Sequence, residues 1–184
     1  MPHYIAFLRG MNLGNRRIKM DQLRELFAQL KFTAVETFIA SGNVIFTAKS
    51  MDARKLEKQI ETHLQKSLGY DVDTFVRTRM EVAAVAAFRP FPAVDHEHPD
   101  YTVHAGFLRE PISATQVRHL LASRTEVDEF HVEGHEYYWL CRIKINESKV
   151  WASPQMKLVK LPRSSMRNLT TIRKLAALYP ALAD

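Results

Sequence analysis

The chain has 184 residues, 46% of them hydrophobic and 25% charged, with a formal net charge of +6. This is the balance of a soluble globular protein with room for one large domain or two small ones, and no apolar stretch nears the roughly 20 residues that cross a membrane. The single cysteine, Cys141, excludes an internal disulfide; with no leader-type segment at the start, the expected setting is a reducing cytoplasm.

The charge is unevenly spread. Residues 1–20 hold Arg9, Arg16, Arg17 and Lys19 and no acid. Residues 91–136 hold nine acids against Arg109, Arg118 and Arg124, and residues 137–184 hold nine basic groups against Glu147 and Asp184. Basic ends that share a face would attract anions; charges spread for solubility are the plainer alternative.

Residues 4–8 read as a buried strand. Met20, Leu23, Phe27 and Leu30 recur at helical spacing and predict a helix over 20–30. Residues 35–40 and 44–47 are β-rich runs around the turn Ser41-Gly42-Asn43. Leu56, Ile60, Leu64 and Leu68 mark one face of a long helix, which Gly69 is placed to stop. A strand over 72–76 and a helix near 80–88 follow. The stretch 90–100 holds Pro90, Pro92 and Pro99 among charged residues, and 91–100 reads as a linker between a first half (1–90) and a second (101–184).

The order then begins again. Residues 102–108 read as a strand, and Ser113 with Gln116 forms a capping box for a helix ending near Ala122. Residues 127–132 and 136–141 are strands around Gly134. Ser153-Pro154 opens a helix as cap and first-turn proline, and Pro162 limits it. A short strand at 163–166 precedes a last helix capped by Asn168, with Leu169, Ile172, Ala176 and Tyr179 on one face. Phe7-Leu8-Arg9 recurs as Phe107-Leu108-Arg109, and Arg77 before "AVAAF" parallels Arg167 before "KLAAL". The fold expected is α+β: a duplicated split βαββαβ sheet, each copy with an additional C-terminal helix.

The stretches "YIAFLRGMNLGNRRIKMDQLRELF" and "TFIASGNVIF", with Arg167-Asn168-Leu169-Thr170-Thr171, resemble the bacterial family called domain of unknown function 1697 (DUF1697). The resemblance implies two tandem ferredoxin-like halves and brings no activity, substrate or catalytic residue. Asn15-Arg16-Arg17 makes the opening loop more basic than the commoner form of the family.

That loop is the leading chemical candidate. Gly10 and Gly14 permit backbone shapes in which N–H groups converge on an anion, and the loop runs into a helix N-terminus. Arg9, Arg16 and Arg17 add planar donors suited to phosphate. The glycines do not follow a Walker or a dinucleotide-binding pattern. Asn12, Ser41, Asn43, Arg167 and Asn168 complete the expected ligand-binding set. Arg9, Asn12, Ser41, Asn43, Arg167 and Asn168 are expected around one cleft. In simpler roles, Ser41-Gly42-Asn43 is a hairpin turn, Asn168 a helix cap, and the loop a solvated connection.

An RNA-recognition sheet would stack bases on strand aromatics, here Phe7 and Phe46, but "SGNVIFTA" lacks that motif and both are expected in the core. Cys141 is expected buried and inert. Asp95-His96-Glu97-His98 lacks the paired spacing of a zinc site, and no metal, cofactor or catalytic constellation is assigned. The expected partner is a phosphate-bearing one, single-stranded nucleic acid or a nucleotide-like ligand, bound through the basic loop and a basic C-terminal face. The alternatives are an enzyme on a small anionic substrate, with Arg9 and Arg167 as clamps, and a protein-interaction module.

Overall fold

A strand that is apolar without alternation belongs in the middle of a sheet, where both of its faces are covered. Strand β1 (His3–Arg9) is such a strand: Tyr4, Ile5, Ala6, Phe7 and Leu8 are all buried. In the computed structural model, which describes residues 1–12, 14, 16–39, 42–94 and 98–181, β1 is central in a four-stranded antiparallel sheet. Its elements follow as α1 (Met20–Gln29), β2 (Thr33–Phe38), β3 (Asn43–Thr47), α2 (Ala53–Leu68), β4 (Asp73–Thr78) and α3 (Arg79–Ala87). The sheet order is β2-β3-β1-β4.

The second set is β5 (Thr102–Phe107), α4 (Ala114–Ala122), β6 (Asp128–Glu133), β7 (Glu136–Cys141), a 3₁₀ turn at Val150–Ala152, α5 (Pro154–Val159), β8 (Ser165–Asn168) and α6 (Leu169–Leu178). Its sheet order, β6-β7-β5-β8, repeats the first. The fold is therefore α+β, with two similar halves of ferredoxin-like topology. The chain divides into two compact units, Met1–Ala84 with Leu175–Asp184, and Val85–Lys174. The divisions fall inside α3 and α6.

The repeated Phe-Leu-Arg has a structural reason. Phe7 lies opposite Asn43 and Phe107 opposite Glu136, each the first residue of its half's third strand. The next residue ties the central strand to the neighbouring hairpin's turn: Leu8 N–H donates to Gly42 O at 2.8 Å, and Leu108 N–H to His135 O at 2.9 Å. Arg77 and Arg167 also correspond, lying opposite Ile5 and Ala105.

Periodicity and caps explain the helices. Leu56, Ile60 and Leu64 of α2 pack with Tyr4, Ala6, Leu8 and Phe46 in one core, and Gly69 ends the helix at φ +79°. In the second unit Leu120, Phe130, Tyr137, Trp139, Met156 and Val159 share a core. Ser113 and Gln116 form the expected capping box, and the Ser153 side chain accepts from Met156 N–H. Asn168 Oδ1 accepts from Thr170 N–H at 2.8 Å and so caps α6. The expected face of α6 needs correction. Leu169, Ile172 and Leu175 are the buried set, while Tyr179 lies past the helix end and donates to Glu36 at 2.7 Å. A step of three after Ile172 selects Leu175, and the helix stops before Tyr179 can extend the stripe.

Among the described residues, no helix is long and apolar enough to cross a membrane. Phe7, Phe46 and Cys141 are fully buried, as expected of core residues. The Cys141 thiol donates to Ile143 O, and burial pushes its pKa up. Asp95, His96 and Glu97 of the acidic-histidine run lie outside the described residues.

Candidate functional site

The opening loop, residues 10–19, leaves the end of β1 and enters α1. Gly10, at φ +77°, turns the chain in the left-handed region that glycine enters without strain. Met11 and Ile18 are buried and anchor the loop to the core at both ends. Asn12 Oδ1 accepts from Ile18 N–H at 3.2 Å and closes the neck between them. Asn12 is thus the clasp of the loop it was expected to serve. Gly14 is left-handed at φ +59° with no atom near its would-be Cβ. Leu13 and Asn15 lie outside the described residues.

Gly42 meets the start of this loop. A Cβ on Gly42 would stand 3.1 Å from Leu8 Cβ and 3.4 Å from Met11 Cε, and Gly42 is itself left-handed at φ +78°. Glycine is required there by both space and backbone shape. Asn43 is fully buried and its Nδ2 donates to Phe38 O at 3.0 Å, a brace across the hairpin. Ser41 lies outside the described residues.

The cations of the loop divide into kinds. Arg9 Nη1 pairs with Asp73 Oδ2 at 3.3 Å, across the β1–β4 ladder. Such a half-exposed pair contributes about 1 kcal/mol or less and is screened by salt. Arg16 holds its guanidinium carbon 4.6 Å above the ring of Tyr70, whose hydroxyl donates to Met11 O at 3.3 Å. Arg17 and Lys19 are exposed, and no ion pair reaches them among the described residues. Lys19 is the N-cap of α1 and offers no side-chain acceptor to the first turn. The helix start thus keeps its positive end, with Asp21 the one acid in that turn and itself paired to Arg24.

Arg167 and Asn168 belong to the second unit, whereas Arg9, Gly10, Asn12, Gly14, Arg16, Arg17 and Asn43 belong to the first. Arg167 Nη1 donates to Ser165 Oγ and to Met166 O, each at 2.9 Å. Its counterpart Arg77 makes the same bond to Val76 O at 3.0 Å. In both halves the guanidinium turns back on its own strand and satisfies the preceding carbonyl. Burial lowers the Arg167 pKa to about 10. Asn168 lines a cavity of about 40 Å³ with Thr102, Thr170 and Arg173. That space suits a water or two and falls far short of the several hundred Å³ of a typical small-molecule site.

Sequence reasoning missed Tyr70 and Asp73. Neither is near the loop in the chain, and only the antiparallel pairing of β1 with β4 brings the start of β4 beside the end of β1. A signal was present in the order of elements: the fourth strand of this topology must begin where the first one ends.

Residues 1–138 match the model of a family described as "Protein of unknown function (DUF1697)". Residues 139–184, which include Arg167 to Thr171, fall outside the matched region. No curated protein matches the sequence. Among solved structures the chain is similar to the conserved bacterial protein SP0830 from Streptococcus pneumoniae, at 21% identity and a TM-score of 0.74. The similarity covers 97% of this chain and 98% of that one. It bears on the fold.

Proposed function

The chain belongs to the DUF1697 family, and from that premise we propose that it binds a phosphate-bearing partner, single-stranded nucleic acid or a nucleotide-like ligand, at residues 10–19. One observation carries the reading: Arg16, Arg17 and Lys19 are exposed together just before a helix whose first turn has no side-chain cap. Free N–H groups at a helix start attract negative charge, and arginine presents donors in the fork geometry that phosphate accepts. Left-handed Gly10 and Gly14 keep side-chain bulk out of the approach to the backbone. We place the protein in the cytoplasm, a reading supported by its one buried, unpaired thiol.

Binding of a labelled single-stranded oligonucleotide at several salt concentrations tests the proposal. With Arg9 held by Asp73, three cations remain to neutralise phosphates. Each contributes about −0.7 to the log–log slope for single strands, so a slope near −2 is expected. Replacing Arg16 and Arg17 together by Ala should make it shallower by roughly 1.4. Absence of binding at low salt for both the oligonucleotide and inorganic polyphosphate would remove the proposal.

A further inference from the structure

Tyr70 follows the glycine stop of α2, is half-buried, and packs against the first unit's core. Its hydroxyl donates to Met11 O, which fixes the ring beside the loop. Over this ring stands Arg16, one of the three exposed loop cations, at 4.6 Å. Recognition of bare phosphate gives no reason for this arrangement. A guanidinium serves phosphate best when its donors reach out, as Arg17 and Lys19 are free to do. A guanidinium held over an aromatic ring is weakly hydrated, and its plane is a surface on which a nucleobase stacks.

We propose, resting on the phosphate-binding reading above, that the partner carries nucleobases, and that Arg16 supported on Tyr70 is the base-stacking platform of the site. Arg17, Lys19 and the start of α1 hold phosphates directly, and the Arg16 charge still neutralises a neighbouring phosphate from the platform. This favours single-stranded nucleic acid over a sugar phosphate or inorganic phosphate, since a base must be unstacked from its own neighbours to reach such a platform. The platform tolerates any base, because every base has a flat face.

The test compares two probes on the full chain: a labelled single-stranded thymidine oligonucleotide and an inorganic polyphosphate of matched charge. Tyr70→Leu removes the ring and keeps apolar bulk. It should weaken the oligonucleotide about tenfold, the loss of one stacked base, and leave polyphosphate within about twofold. Tyr70→Phe keeps the ring without its tie to Met11, so it should lose less oligonucleotide affinity than Tyr70→Leu and leave polyphosphate unchanged. Arg16→Lys keeps the charge without the plane and should repeat the Tyr70→Leu pattern, which gives a second route if Tyr70→Leu folds poorly. Equal losses for both probes would overturn the platform and make Tyr70 a support for the loop. So would unchanged oligonucleotide binding in Tyr70→Leu. A parent that binds polyphosphate as well as the oligonucleotide would overturn the platform and leave phosphate binding standing. A parent that binds neither would remove both.

Discussion

The two halves carry the same connection in two versions. After its central strand, the second half reaches α4 through residues 108–113. Leu108 and Ile112 are buried, and the Ser113–Gln116 capping box satisfies both ends of the helix entry. At the same place the first half has residues 10–19, a longer path with two left-handed glycines, three exposed cations and an uncapped α1. The topology is built either way, so the fold does not require the length or the charge of the first version. What the second half spends on closing its helix, the first leaves open to solvent. The edge strands contrast too. The outward N–H groups of β4 at Thr74 and Val76 donate to Glu61 and Glu57 of the long helix α2, at 2.8 and 3.0 Å. The six-residue α5 bears no acid with which to do the same for β8.

The largest effect expected from breaking this comparison lies in the core. Gly106 and Ala6 hold the same place in the two central strands, opposite Tyr137 and Val44. A Cβ on Gly106 would overlap the Tyr137 ring at Cζ. Gly106→Ala should therefore cost about 3 kcal/mol in denaturant melts, at the upper end of overpacking penalties. Adding Tyr137→Val recreates the first half's pair, and the double variant should be more stable than the sum of the single changes. Additive losses would mean that the two sites do not share the packing described.

A smaller difference separates a cap from an exposed loop residue. Asn168→Ala removes the acceptor for Thr170 N–H and should cost about 1 kcal/mol. Arg16→Ala, an exposed change, should cost less than about 0.5 kcal/mol. The reverse order in urea melts would make the basic loop a structural element and weaken the binding proposal.

The smallest effect at neutral pH appears only on acidification. His104 and Tyr4 occupy equivalent places, opposite Trp139 and Phe46. Burial lowers the His104 pKa below 6.5. The unfolded chain then binds the proton first as pH falls. Stability present above pH 6.5 is thus lost as pH drops through the native pKa. His104→Tyr, the first half's residue, should flatten the stability profile in this window. An unchanged profile would place the acid sensitivity elsewhere.

Most of the fold was legible because its signals are local. Gly69, Ser113 with Gln116, Ser153-Pro154 and Asn168 punctuate helices by hydrogen bonds that span a turn or less, and short β-rich runs are read without a distant partner. The paired Phe-Leu-Arg segments were legible as a repeat, though their hydrogen-bonded role was not. The site was less legible because its bonds are long-range. Nothing in the sequence near Arg9 announces Asp73, nor does Arg16 announce Tyr70. Arg167 looked available because arginine is normally exposed. Its place on a short strand, facing the side shared with Ala105, turns it inward to its own backbone.

The contrast between residues 10–19 and 108–113 is tested most directly by following backbone amide resonances during titration with a single-stranded oligonucleotide at low salt. The account predicts the largest shifts at Arg16, Arg17, Lys19 and the first-turn amides of α1 from Met20 to Leu23, with Tyr70 moving alongside them and residues 108–116 still. Shifts centred on 108–116, or a response that leaves residues 16–23 unmoved, would contradict it.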